Sequence, residues 1–305
     1  MGTLRITSDG DPFPAKAGGG GSLSIPPVND GTTRAFTDGS VIQDQSHDYS
    51  IRYRAGSNTI DSEAVTKTAP IGITTTGVLI YTSGYSDAFL PVSTSAASSN
   101  FTWNMGESSL SLSEFSLDLC GGKPESNGEY RYRTGAFYKN GLLNNTVFNA
   151  STGSTGYFSD SNSFGGNENL RHAAKTINST AYTGGHSKIL GFAFDGYPIY
   201  GPYGYSSPTD PTSAVARMTS SYRTKDVETG GRGYTYSEKP AGSFIEDFEY
   251  VSALGTLDEF NGRFCKTPDY DTGTYAYFLT FSDDNLDNPA YPYIIGPSTR
   301  EQRSA

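Results

Sequence analysis

The stretch HSKILGFAFDGYPIYGPYGY, residues 186–205, decides how this chain folds. Lys188–Phe194 is a short, continuous apolar run of the kind that forms a buried strand. Asp195-Gly196 then supplies a turn signal, and Pro198 and Pro202 restrict the residues before them. A strand that runs into a rigid turn and continues through closely spaced tyrosines belongs to β architecture. Its aromatics admit two readings. Phe192, Phe194, Tyr197 and Tyr200 pack a rigid loop, or Tyr197, Tyr200, Tyr203 and Tyr205 form an exposed platform for a sugar.

Strand signals recur on both sides of this stretch. IGITTTGVLIYT, residues 71–82, reads as two strand pieces separated by Gly77. Tyr49–Arg54 and Glu129–Phe137 alternate, and Phe101–Asn104, Gly233–Ser237, Thr274–Phe281 and Pro292–Gly296 complete the set. Helical signals are weak: Leu110–Leu119, Glu168–Ile177 and the marginal run AVARMTSS at 214–221. No repeat with a period of 20–50 residues is visible, and no heptads appear. The 36 glycines and 22 tyrosines suit many short strands joined by tight turns, and 305 residues suffice for a proper core. The fold class predicted is mainly β. Residues 48–305 form a single large β-rich domain, sandwich- or barrel-like, with few short helices.

Residues 1–47 read differently, as an extended arm. A strand-like piece is followed by DGDPFP, the run Gly18–Gly21 and IPPVNDGTT, all rich in breakers of regular structure. Ordering each such residue costs about 1–2 kcal/mol, so contacts must offset it. Neighbouring subunits are the expected source, with Thr3, Leu4, Arg5, Ile6 and Thr7 as the strand added to an adjacent sheet, and an arm packed along its own domain is the alternative.

Charge and motifs exclude several functions. The net charge is −10 with no Lys/Arg block, which argues against nucleic-acid binding. No stretch approaches the roughly 18 apolar residues of a membrane span, and the N-terminus lacks the features of a secretory signal. Ile6 stands where a myristoylation signal wants Ser or Thr. Cys120 and Cys265 are too few for a disulfide framework or zinc site; buried thiols and a single bridge both remain open. GxSxG, P-loop, HExxH and EF-hand patterns are missing. Among scattered histidines, His47 reads as a loop residue and His172 as a surface one. No metal and no cofactor are expected.

Three segments together carry a resemblance: DLCGGKPESNGEYRYRTG at 118–135, GGHSKILGFAFDGYPIYGPYGY at 184–205, and LDEFNGRFCKTPDYDTGTYAYFLT at 257–280, closed by YPYIIG at 291–296. In order and spacing they resemble the YHYH domain family, over roughly residues 68–297. The Tyr-His-Tyr-His stretch implied by that resemblance reads here Tyr130-Arg131-Tyr132-Arg133, and a further histidine position holds Lys123. His186 keeps a histidine. Phe260 stands where the family tends to place a cysteine, which weakens an implied bridge to Cys120.

Imidazole offers a metal a lone pair, whereas guanidinium has none and stays protonated. Strand alternation puts Arg131 and Arg133 on one face and Tyr130 and Tyr132 on the other. The expected outcome is an ion-pair network or anion site, with Asp195, Asp258 and Glu259 as the carboxylate partners. Proteins of this family with such a leader resemble structural components of tailed phages of cyanobacteria. The resemblance implies a virion structural protein (tail, baseplate, fibre or capsid surface), assembled in the host cytoplasm from copies of itself and other virion proteins. The alternative is a module binding carbohydrate or the host cell surface, with a metal-dependent enzyme third.

Overall fold

The computed structural model describes Gly10, Thr235, Ser237 and residues 2–8, 45–82, 122–125, 127–133, 186–226, 240–282 and 289–303, without 55, 58, 66–68 and 76. The β-rich expectation holds. Among the described residues there are sixteen strands, and the one helical element is a 3-10 turn at Ile245–Asp247. The predicted helices at 110–119 and 168–177, the strand at 101–104, and Cys120 and His172 lie outside the described residues.

The centre is an eight-stranded mixed sheet built from four hairpins. These are β4 (Pro70–Thr74) with β5 (Leu79–Tyr81), β6 (Gly122–Pro124) with β7 (Tyr130–Tyr132), β8 (Ile189–Ala193) with β9 (Pro198–Tyr200), and β14 (Gly262–Thr267) with β15 (Tyr270–Phe278). Their order is β14-β15-β9-β8-β4-β5-β7-β6. Gly77 and Gly196 turn the two inner hairpins at positive φ, 88° and 98°, a conformation that favours glycine.

The sheet consists of two matching halves. IGITTTGVLIY at 71–81 aligns with LGFAFDGYPIY at 190–200, so Gly72, Gly77, Ile80 and Tyr81 meet Gly191, Gly196, Ile199 and Tyr200. Pairing follows the alignment: Gly72↔Ile80 and Ile73↔Leu79 in one hairpin, Gly191↔Ile199 and Phe192↔Pro198 in the other, each with a register shift at the same place. The outer hairpins match too, Gly122↔Tyr132 against Gly262↔Tyr277. So do the parallel joins, Ile80↔Tyr132 against Ile199↔Tyr277. The halves meet where β4 and β8 run antiparallel, and the aligned residues Ile73 and Phe192 face each other there, as a two-fold axis requires. The copies of this repeat lie much farther apart in sequence than the 20–50 residues of a solenoid or propeller period.

Small ribbons cover the sheet. β1 (Thr3–Ser8) pairs antiparallel with β2 (His47–Arg52), and Leu4, Ile6, Tyr49 and Ile51 pack on a cluster with Ile73, Leu79, Tyr81 and Phe194. This corrects the expectation for the arm: Thr3, Leu4, Arg5, Ile6 and Thr7 are a strand of the chain's own fold, and Arg5 forms a two-point ion pair with Asp48 at 2.7 and 2.8 Å. The ribbon rests on both hairpin turns, with Ser8 against Gly77 and the Arg52 carbonyl against Gly196. His47 is therefore a buried strand residue and not a loop residue.

Two further expectations change. Val215–Arg217, inside the marginal helix, is a strand, β11, paired with β10 (Tyr203–Tyr205). Pro292–Gly296 is a turn: Tyr293 adopts φ 70° and donates its N–H to Ala290 at 2.8 Å, so its apolar side chains plug the core without joining a ladder.

The core is built from tyrosine. Tyr130, Tyr132, Tyr197, Tyr200, Tyr275, Tyr277 and Tyr293 are among the largest fully buried side chains. Each ring buries a large apolar area but carries a hydroxyl that needs a partner once it leaves water. That requirement draws polar groups into the interior and shapes the site.

Candidate functional site

Within each half, the outer hairpin stacks two tyrosines. Tyr130 and Tyr132 meet edge-to-face at 5.3 Å and 90°, and Tyr275 and Tyr277 at 5.3 Å and 86°. Each pair lies over a strand glycine. A Cβ on Gly122 would sit 2.4 Å from the Tyr130 hydroxyl, and one on Gly262 at 2.4 Å from that of Tyr275. The two pairs differ in what surrounds them.

The first pair carries the arginines. Arg133 reaches Glu125 at 2.8 Å and the Thr82 carbonyl at 3.4 Å, and Arg131 binds Glu129 and lies 3.5 Å from Glu125. The Arg131 guanidinium also stacks 4.0 Å from the Tyr81 ring centroid. His47 stands 3.8 Å from Glu129. Two cations and two carboxylates thus neutralise one another in a half-buried cluster, where Arg133 is only 6% exposed. The expected partners are corrected. Asp195, Asp258 and Glu259 do not reach these arginines, because four strands lie between β7 and β15 in the sheet. The actual partners come from the arginines' own hairpin, whose turn carries both glutamates. Lys123 pairs through its backbone with Arg131.

The second pair carries carboxylates. Asp195, fully buried, accepts from the Tyr277 hydroxyl at 2.5 Å, the Glu301 N–H at 3.3 Å and the Tyr197 N–H at 3.4 Å. Burial pushes its pKa up to about 6 despite those donors. Asp258 folds back in a tight turn, accepting from Phe260 and Gly262 N–H at 3.0 and 3.1 Å and from the Tyr275 hydroxyl at 2.8 Å; burial raises its pKa as well. Glu301 accepts from the Tyr197 hydroxyl at 2.5 Å and from Ser57 at 3.0 Å, and it pairs with Arg54. Arg300 places its guanidinium 4.8 Å from the Tyr275 ring centroid and 3.6 Å from Asp258. Glu259 is exposed and contributes only its carbonyl, to the Tyr222 hydroxyl at 2.7 Å.

His186 belongs to neither cluster. It is buried against Tyr200, Tyr205 and Phe278, with ring centroids at 5.0, 4.9 and 5.8 Å. Its Nδ1 lies 2.7 Å from the Ser187 carbonyl, which can only accept, so Nδ1 carries the proton and Nε2 the lone pair. Burial lowers its pKa to about 4. Among the described residues no group of three or more His, Cys, Asp or Glu lies together in a way that could hold a metal. Cys265 is a buried free thiol with its pKa raised by burial.

The exposed aromatic platform is corrected too. Tyr197, Tyr200 and Tyr203 are buried, and only Tyr205 is partly accessible. Tyr200 spends its hydroxyl on Thr267 and Asp269, both at 2.9 Å. These tyrosines build the core, as the packed-loop reading has it.

The paired hairpins, the glycine-backed tyrosines and the turn after β8 define a β-rich domain built around tyrosine motifs. The chain belongs to the YHYH protein family, whose description matches residues 49–288. No curated protein and no solved structure matches it.

Proposed function

We propose that this chain is a structural component of a tailed-phage virion. It assembles in the host cytoplasm with copies of itself and with other virion proteins, and it does no catalysis. One observation carries the assembly role. Gly10 and Gln45, which flank residues 11–44 in sequence, are neighbours in space: a Cβ on Gly10 would lie 3.3 Å from that of Gln45. Residues 11–44 are thus inserted at one point of a two-stranded ribbon. A connection of that length is far longer than two neighbouring strand ends need, and that surplus is what a role in assembly would use. Both the Gly18–Gly21 run and IPPVNDGTT fall within them. The assembly role passes from Thr3–Thr7, which are committed to β2, to this segment.

The arginine cluster supports a structural role for the family's name-giving stretch. Arg131 and Arg133 are tied to Glu125, Glu129 and the Tyr81 ring, and guanidinium offers no lone pair for chemistry. The test is replacement of residues 11–44 by a short Gly-Ser linker, which the adjacency of Gly10 and Gln45 permits. The shortened protein is expected to fold with an unchanged melting profile and to be left out of particles. Incorporation at the normal level refutes the assembly role.

A further inference from the structure

In the second half, the motif side chains converge on one short segment. Strand β16 (Ser298–Thr299) pairs with β3 (Glu63–Ala64), and the chain then runs across the tyrosine pair as far as Arg303. The Arg300 N–H donates to the Tyr277 hydroxyl at 2.7 Å, and the Glu301 N–H to Asp195 at 3.3 Å. The Arg300 side chain covers Tyr275 and approaches Asp258, while its Nε donates to the Thr59 carbonyl at 3.0 Å. The Glu301 carboxylate is held by Tyr197, Ser57 and Arg54. Arg303 closes the segment on Glu63 at 3.1 Å.

Backbone bonds tie the segment to β3 and its flanks, with the Val65 N–H donating to the Pro297 carbonyl at 2.9 Å and the Asp61 N–H to the Arg300 carbonyl at 3.2 Å, while side chains of the motif residues recognise Arg300 and Glu301. A peptide added to a sheet edge is held in the same two ways, by its backbone for affinity and by pockets for specificity. The receiving residues Asp195, Tyr197, Asp258, Tyr275 and Tyr277 all lie inside the family match, which ends at residue 288; the segment they hold lies beyond it. Buried charges are tolerated only when partnered. Beyond the donors of their own motifs, Asp195 takes a backbone N–H, Asp258 a cation and Arg54 an anion from this segment.

We propose that the second tyrosine pair and its two aspartates form a binding cleft for an extended peptide bearing adjacent arginine and glutamate. The chain's own Ser298–Arg303 segment is a displaceable strap that fills it. The recognised chemistry is a guanidinium over Tyr275 beside Asp258, followed by a carboxylate between Tyr197 and Arg54. This goes beyond the virion reading and does not depend on it.

Hydrogen exchange on the full-length chain tests whether the strap opens by itself. Amides of Thr299–Gln302 are expected to exchange at least tenfold faster than those of β8 and β15. Arg300→Ala should accelerate them at least a further tenfold while leaving β8 and β15 unchanged. Exchange of the strap only together with β8 and β15 overturns the proposal. A labelled peptide with the sequence of residues 298–305 tests recognition by fluorescence anisotropy. It is expected to bind a full-length R300A/E301A chain at least tenfold more tightly than the wild type, whose cleft is filled. The same peptide with alanine for its arginine should bind at least tenfold more weakly. Equal binding of both peptides, or none to a folded double variant, overturns the proposal; if the double variant does not fold, the exchange experiment on the wild type decides.

Discussion

Asp195→Asn is the most informative single change. Asp195 has no accessible surface, and burial holds its carboxyl near pH 6, against 3.8 for a free one. Between those values the folded protein binds a proton that the unfolded chain has released. Stability from this group is thus fully present below about pH 4 and is lost as pH rises through 6. At about 1.4 kcal/mol per pH unit, the loss across the window is about 3 kcal/mol. Asparagine keeps an oxygen for the Tyr277 hydroxyl and the Glu301 N–H but never ionises. Its amide meets the Tyr197 N–H, donor against donor, where the wild type has a long 3.4 Å bond; that costs about 1 kcal/mol at every pH. The stability difference, variant minus wild type, should therefore climb by about 3 kcal/mol between pH 3.5 and 7 and end in the variant's favour. Urea unfolding followed by far-UV circular dichroism at half-unit pH steps measures it. A difference that stays constant within about 0.5 kcal/mol refutes the argument that burial dominates this carboxyl.

His186 should show the opposite slope. Its folded pKa of about 4 lies below the 6.5 of a free imidazole, so its contribution is present above 6.5 and lost as pH falls through 4, by about 3 kcal/mol. Nitrogen-15 NMR should find the Nδ1-protonated neutral ring at pH 5.5; a charged ring there contradicts it. Arg133→Met removes the 2.8 Å ion pair with Glu125 from a half-buried cluster, and about 1–3 kcal/mol should be lost in chemical denaturation. Gly122→Ala and Gly262→Ala each force a methyl to 2.4 Å from a tyrosine hydroxyl and 2.7 Å from a backbone carbonyl. Both should cost at least about 2 kcal/mol and agree within about 1 kcal/mol.

Much of the fold was legible because local signals agree with the tertiary outcome. The apolar run before Asp195-Gly196 became β8 and its turn, and Gly77 divided two strands as read. Alternation placed Tyr130 and Tyr132 inside and Arg131 on the other face. The partners of those arginines are not legible from the motifs, which do not converge. The sheet instead sets the first and third motifs at opposite ends, and Glu125 and Glu129, on the same hairpin as the arginines, were the available signal. Arg54, Arg300 and Glu301 carry no local signature; they meet the motif residues only because β3 and β16 bring distant segments together. Pro292–Gly296 shows that an apolar run records burial alone, and a turn can be buried as readily as a strand.

The two-fold repeat gives the Tyr-Arg-Tyr-Arg stretch a different meaning. The backbone positions of Arg131 and Arg133 recur at Ala276 and Phe278, both fully buried. One slot in the sheet thus accepts a guanidinium at one end of the molecule and a methyl or a phenyl ring at the other, with the tyrosine geometry beside it unchanged. The backbone is indifferent to what fills those slots, and the cover over each half decides it. The tyrosines and glycines are the grammar of this sheet, and the residues between them are vocabulary that each surrounding rewrites.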